Sequence, residues 1–145
     1  MANTFKCAIV TPTESVLDDE VNQVEFPQWD GQRGILPGAA PFVAKMGAGR
    51  LRIEYPEGGS RIFLLAGGFA EMSDDTLMLV ADEVIPRENL ELKMAEERLN
   101  DAINAVTEEG HNDLVERERL ELARNRANVE VQLAKESSQK GAAVG

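Results

Sequence analysis

The hydrophobic period of this chain changes once, between Glu83 and Glu88, with Pro86 inside the change. Before it, apolar and polar residues alternate in short runs: "FKCAIV", "VNQVEF", "RLRIEY", "SRIFLLA", "GFAEM" and "TLMLVA". A period of two in β-branched and aromatic residues suits strands with one buried face. Between the runs stand "DG", "PGAAP", "GAG", "PEGG", "GG" and "SDD", which supply the positive φ, fixed φ or side-chain-to-backbone bonding that a turn needs. "YPEGGS", between "LRIE" and "RIFLL", is the clearest hairpin. Short strands at this spacing predict a sandwich or a barrel.

After Pro86 the spacing is helical. Leu92, Ala95, Leu99, Ala102, Ile103 and Val106 fall on one helical stripe. Pro86 is expected near the first turn, with Glu88 and Glu91 set early against the helix dipole. "EEGHND" interrupts the pattern, with Gly110 as a stop and Asn112 or Asp113 as the cap of a second helix running from about Leu114 to about Lys135. That helix carries two apolar strips, Ala123–Ala127–Val131–Ala134 and Val115–Leu122–Val129–Leu133. One strip is expected to pack on the first helix, and the other on the β domain or on a partner. The expected organisation is a β domain over 1–85, a helical hairpin over 86–138, and a small polar tail, 139–145, that is disordered.

Composition removes several classes of function. A net charge of −11 lacks the clustered Lys and Arg that phosphate backbones require, so nucleic acid is disfavoured. A single cysteine rules out an internal disulfide and makes a Cys-based zinc site untenable, and Cys7 alternates with Phe5 and Ile9 as a core thiol would. No apolar run approaches the roughly 20 residues of a membrane span, and no targeting segment is visible, so membrane attachment is expected through partners alone. The lone His111 lies in the expected inter-helix turn, far along the chain from Cys7, which leaves no nucleophile with a base. The acidic clusters "LDDE", "SDD" and "EE" lack calcium-loop spacing and read as solvated faces. "GQRGILPG" is not a phosphate loop. "AGGFAEM" leads into a strand and not a helix, so its double glycine reads as a bulge or a tight corner. No catalytic residue, metal or cofactor is expected.

Four blocks then decide the reading. "GQRGILPGAAPFV", "GAGRLRI", "LLAGGFAEM" and "LMLVADEVI", in that order, resemble the epsilon subunit of F-type ATP synthases, and the likeness extends through the helical hairpin. The resemblance implies an α+β chain: an N-terminal antiparallel β-sandwich of about ten strands, then an antiparallel two-helix hairpin. It implies a non-catalytic central-stalk subunit that links the gamma shaft to the membrane rotor ring. Its helices would regulate ATP hydrolysis by folding against the sandwich or extending towards the catalytic head.

By the same likeness the loop "QWDGQRG" faces the rotor ring through Asp30, Gln32 and Arg33, and the segment 39–46 lies against gamma through Ala39, Pro41, Phe42, Ala44 and Met46. Ala39 stands where the family pattern has His. The implied location is the cytoplasmic face of a bacterial plasma membrane, with the stromal face of a thylakoid membrane second. Part of the family binds ATP between the helices through a motif like [IL]-D-x-x-R-A. Here the stretch reads "LELKMA", so Glu91 replaces the Asp and Met94 the Arg. On the second helix Arg126 matches a family arginine, but Glu130, one turn on, would repel a triphosphate and can pair with Arg126. No useful ATP binding is therefore expected. Two other classes compete with this reading: a stand-alone β-sandwich adaptor with a dimerising hairpin, opposed by the block order, and an enzyme with scattered carboxylates, opposed by the missing nucleophile–base pair.

Overall fold

The computed structural model describes the backbone of residues 3–107 and 113–144, and the side chains of 3–105 and 113–137. The chain divides into two compact units, Met1–Pro86 and Arg87–Gly145.

The first unit is a β-sandwich of eight strands: β1 (Phe5–Val10), β2 (Ser15–Val21), β3 (Gln23–Gln28), β4 (Gly31–Ile35), β5 (Phe42–Lys45), β6 (Ala48–Glu54), β7 (Ser60–Ser73) and β8 (Thr76–Pro86). Their order is β2-β1-β8-β7-β6-β3-β4, with β5 also on β7. All ladders are antiparallel except β1–β8, which is parallel.

The count is lower than the ten strands that the resemblance implies, and two of the short runs belong to one long strand. "SRIFLLA" and "GFAEM" are one strand: β6 pairs with Ser60–Ala66 of β7, and β5 pairs with Phe69–Met72. Between those two stretches Gly67 and Gly68 adopt φ of 75° and 110°. A Cβ on Gly68 would lie 2.0 Å from the Val80 carbonyl oxygen, so only glycine passes this corner. The hydrogen bonding does not lapse there, because the Gly67 N–H reaches the Gly47 carbonyl at 3.0 Å and the Gly68 carbonyl accepts from Met46 at 2.8 Å.

Alternation fills the core. Phe5, Cys7 and Ile9 of β1, Leu51 and Ile53 of β6, Phe63 and Leu65 of β7, and Leu77 and Leu79 of β8 are buried together with Phe26 of β3. Each large side chain removed from water contributes about 1.5–3 kcal/mol. The "YPEGGS" hairpin closes as expected, with Glu54 opposite Ser60 and both Gly58 and Gly59 at positive φ. Strands β2, β4 and β5 escape the sequence pattern. The edge strand β2, "SVLDDEV", buries only Leu17 and Val21 and turns its charges outward, which protects an open edge.

Pro86, the last residue of the first unit, ends β8 opposite Phe63 and does not open the helix. Glu88 falls in a single 3-10 turn, Arg87–Asn89, and α1 (Leu92–Thr107) follows. The Glu91 carbonyl accepts the Ala95 N–H at 3.0 Å, so Glu91 caps α1 and lies just outside it. Asp113 caps α2 (Leu114–Val144), its Oδ1 accepting the Val115 N–H at 3.0 Å. α2 continues past the expected end at Lys135, since nothing after Glu136 except one glycine opposes a helix. Gly110, His111 and Asn112 lie outside the described residues, as do the side chains of the tail. Ala95 of α1 packs with Val131 and Ala134 of α2, flanked by Leu90, Leu92 and Leu99. Val131 and Ala134 of the small-residue strip thus face α1 while Ala123 is exposed, and of the other strip Val115 and Leu122 are exposed but Leu133 is buried.

Candidate functional site

Trp29 and Asp30 form a two-residue turn between Gln28 and Gly31, which pair across β3 and β4. The Trp29 N–H donates to the Lys45 carbonyl at 3.0 Å, fixing the tip to the end of β5. A relay of side chains braces it further. Gln28 Nε2 donates to Asp30 Oδ1 at 2.8 Å, and Arg33 Nη1 donates to Gln28 Oε1 at 3.2 Å. The Arg33 guanidinium lies 3.8 Å above the Phe42 ring, which stacks on Phe26 with centroids 6.3 Å apart. Gln32 Nε2 donates to the Arg50 carbonyl at 3.0 Å. Asp30, Gln32, Arg33 and Phe42, expected on two different contacts, are thus gathered on one scaffold that ends in the core.

The stretch "GILPGAAPFV" makes the sharp turn that its prolines and glycines imply. Ile35 ends β4 in the core, and Leu36–Ala39 is a β-turn with Pro37 second and Gly38 third at φ 84°. The Ala39 N–H closes it on the Leu36 carbonyl at 3.3 Å. Ala39 is half-buried and Pro41 exposed.

Beyond the turn the pleat of β5 sorts the remaining candidates. Phe42 and Ala44 are half-buried, and Met46 is in the core at 2% exposure. Met46 is therefore not accessible to a partner in this fold, because it shares the inward parity of β5. Val43, which was not singled out, is 72% exposed.

Register extends Val43 into a patch. Lys45 and Val43 pair with Phe69 and Glu71 of β7, and these pair with Val80 and Met78 of β8. Val80 and Met78 pair in turn with Val10 and Ala8 of β1. Val43, Phe69 and Val80 are exposed, with Val10, Ala8 and Met78 half-buried beside them. A solvated sheet face is ordinarily polar, whereas this one sets Val43, Phe69 and Val80 beside the exposed Lys45 and Glu71. The signal was present in the sequence. Once Ala70, Met72, Leu77 and Leu79 take the buried parity, the opposite parity still reads Phe69, Met78 and Val80.

The helical unit contains a different feature. Glu130 is 1% exposed, and its carboxylate accepts from Arg126 Nη1 at 2.5 Å and from Arg98 Nη1 of α1. A buried carboxylate is tolerable only with such partners. The Arg126–Glu130 pair raised by the i, i+4 spacing is present. Arg98 was missed, although it stands one turn beyond Met94 on the same helix. Met94 is exposed, as is Glu91. Arg87 and Glu136 add a second ion pair at 3.3 Å between the 3-10 turn and α2.

Cys7 and Tyr55 among the described residues have shifted pKa values. The Cys7 thiol is pushed up to about 12 by burial, with the Asp19 and Asp18 carboxylates adding to the shift. Tyr55 is also pushed up to about 12, by burial and by the 2.8 Å bond that its hydroxyl donates to Asp19. Among the described residues no group of three His, Cys, Asp or Glu side chains is placed to hold a metal. No described helix is long and apolar enough to cross a membrane.

Residues 4–87 match the family described as the ATP synthase, Delta/Epsilon chain, beta-sandwich domain. The chain is 34% identical over 101 residues to the ATP synthase epsilon chain of Rhodopirellula baltica, covering 70% of this chain and 78% of that one. It is 31% identical over 128 residues to the ATP synthase epsilon chain of Synechococcus sp. WH7803, covering 88% and 93%. It superposes, with a TM-score of 0.74 at 20% identity, on a chain in the cryo-EM structure of the Euglena gracilis mitochondrial ATP synthase, OSCP/F1/c-ring in rotational state 1, covering 96% and 83%. That last likeness shows the fold.

Proposed function

The chain belongs to the ATP synthase epsilon-chain family, and from that premise we propose that it is a non-catalytic rotor component joining the gamma subunit to the membrane rotor ring. The observation that carries this reading is the relay from Asp30 through Gln28 and Arg33 to Phe42 and Phe26. A subunit that passes torque must not flex between its two contacts. Here the hairpin tip assigned to the ring and the strand assigned to gamma rest on the same close-packed aromatic pair.

The ring contact takes Asp30, Gln32 and Arg33. The gamma contact takes Ala39 and Pro41 with the apolar face of Val43, Phe69 and Val80. A stable rotor contact needs on the order of 1,000 Å² of buried surface, which a few exposed side chains do not supply alone, so the gamma contact spans several strands. The protein acts at the cytoplasmic face of a bacterial plasma membrane, or the stromal face of a thylakoid membrane, and is held there by its partners.

The helical hairpin is the regulatory element, able to reach the catalytic head, and it acts without nucleotide. The space between Arg98 and Arg126 is already occupied by the Glu130 carboxylate. A triphosphate would have to displace a bonded, buried anion from both arginines while facing its charge.

Substituting Phe69→Glu puts a charge on an exposed position, so folding is retained and gamma binding is expected to fall at least tenfold. Unchanged binding would remove the apolar face from the reading. In the assembled enzyme, deletion of everything after Arg87 is expected to raise ATP hydrolysis, or at least not lower it, with synthesis retained. A large drop in both activities would make the hairpin structural. Calorimetric titration with ATP to millimolar concentration should show no saturable binding.

A further inference from the structure

The side chains of Asp30, Gln32 and Arg33 are already engaged within the β unit, Asp30 with Gln28, Gln32 with the Arg50 carbonyl of β6, and Arg33 with Gln28 and the Phe42 ring of β5. Trp29 is different. Its side chain is 69% exposed, and its indole makes no hydrogen bond to any described residue. An indole left in water on a two-residue turn is a large apolar surface with one free donor, held on a support that does not need to be ordered on binding. A central aromatic residue ringed by polar side chains is the usual anatomy of a binding hot spot, whereas exposed charges at the rim contribute little.

We infer that Trp29 is the anchor of the hairpin-tip contact, and that its indole packs against the membrane rotor ring. This rests on the reading that the tip meets that ring. The bilayer itself is the poorer occupant. Surface-seeking segments flank their aromatics with Lys and Arg to meet anionic headgroups. Here Trp29 has Asp30 beside it and a single exposed lysine, Lys45, across its N–H bond, the nearby Arg33 is drawn back over Phe42, and the chain carries a net charge of −11. The Gln28–Asp30 bond and the Trp29 N–H bond to Lys45 aim the ring, and the indole supplies the buried area.

Trp29 is the only tryptophan in the chain, so its optical signal reports on this one position. The full-length protein labelled with 5-hydroxytryptophan, which is excited to the red of ordinary tryptophan, is mixed with a gamma–ring subcomplex in detergent. Empty micelles and vesicles of phosphatidylcholine with phosphatidylglycerol serve as controls. The label is expected to become protected from acrylamide quenching with the subcomplex and to stay accessible in both controls.

Trp29→Ala is expected to weaken binding to the purified ring about thirtyfold, the loss that removal of a hot spot of about 2 kcal/mol gives at 1.4 kcal/mol per factor of ten. Trp29→Phe should lose less, and Asp30→Asn under about threefold. Saturable binding by the wild type together with a loss under about threefold in Trp29→Ala overturns the inference and leaves the ring contact standing. Protection by vesicles alone also overturns it, in favour of a lipid contact. Absence of saturable ring binding by the wild type overturns the reading on which the inference rests.

Discussion

The two units of this chain are held by different forces. In the β unit Phe26, Phe63, Leu51, Ile53, Leu77 and Leu79 are fully buried and interlock across the layers. In the helical unit the buried contact between α1 and α2 is made by Ala95, Val131 and Ala134, and its tightest bonds are the two from arginine to Glu130. Dispersion and apolar burial are spread over many contacts and fail gradually as side chains are trimmed. An ionic cluster at a small-residue seam depends on one buried charge and fails when either side of it is lost. A part that transmits force is suited by the first arrangement, and a part that opens and closes by the second.

The largest effect is expected where the β unit has no slack. Gly68 combines φ of 110° with a Val80 carbonyl oxygen 2.0 Å from where a Cβ would sit. Gly68→Ala must therefore move backbone, and a loss of about 3 kcal/mol or more is expected in urea unfolding followed by far-UV circular dichroism. A loss below about 1 kcal/mol would mean that the corner yields, and the contrast in rigidity would fail with it.

Glu130→Ala is next. It leaves the Arg98 and Arg126 guanidinium groups facing each other over a small cavity. Breaking a fully buried pair costs about 3–5 kcal/mol, but Arg98 is 49% exposed and water can reach it, so about 2 kcal/mol is expected. The effect should be local. Amide exchange should quicken along α1 and α2 and stay unchanged in β1, β7 and β8. Equal acceleration in both units would show that they open as one and would end the comparison.

How much of this was legible follows the same division. The β–α order, the "YPEGGS" hairpin, the corner at the double glycine and the Asp113 cap rest on local chemistry, a turn that needs glycine or a cap that needs an acceptor, and each is where the sequence put it. Strands β2, β4 and β5 were not legible. Their hydrogen bonds are made with distant partners, and "SVLDDEV" or "GQRGI" has too few apolar residues to show a period. The number of strands, about ten by the family likeness and eight in the fold, was not legible in the residues, since a glycine pair can end a strand or bend it and only the pairing of β7 with both β6 and β5 distinguishes the two. At the candidate sites the family likeness implied segments and not faces, and in the fold Met46 lies on the buried one. Parity on a four-residue strand is fixed by what it packs against, so Val43 came to light only with the burial of Phe42, Ala44 and Met46. Arg98 was missed because its partner lies 32 residues away on another helix.

The smallest effect concerns Cys7, and it sharpens the comparison by being absent from one side of it. Cys7 is the only cysteine, is completely buried, and has its thiol pushed from about 9 up to about 12 by burial and by Asp19 and Asp18. At pH 8 a thiol reagent can reach it only when the β unit opens, so its labelling rate measures that opening alone. If the units are separately held, the rate in Glu130→Ala should match the wild type within about twofold, although the hairpin has loosened. Linkage adds a second reading. The thiol ionises in the unfolded chain near pH 9 and in the folded chain only near 12, so its contribution is fully present below pH 9 and is lost as pH rises through that window. The slope is at most about 1.4 kcal/mol per pH unit for one proton. Tyr55, also raised, acts in the same sense but is only half-buried and adds less. Urea unfolding between pH 9 and 11 should therefore show a steeper loss of stability in the wild type than in Cys7→Ala. Parallel pH profiles, or faster labelling of Cys7 when Glu130 is removed, would mean that the β core is looser, or more tightly tied to the helices, than its packing implies.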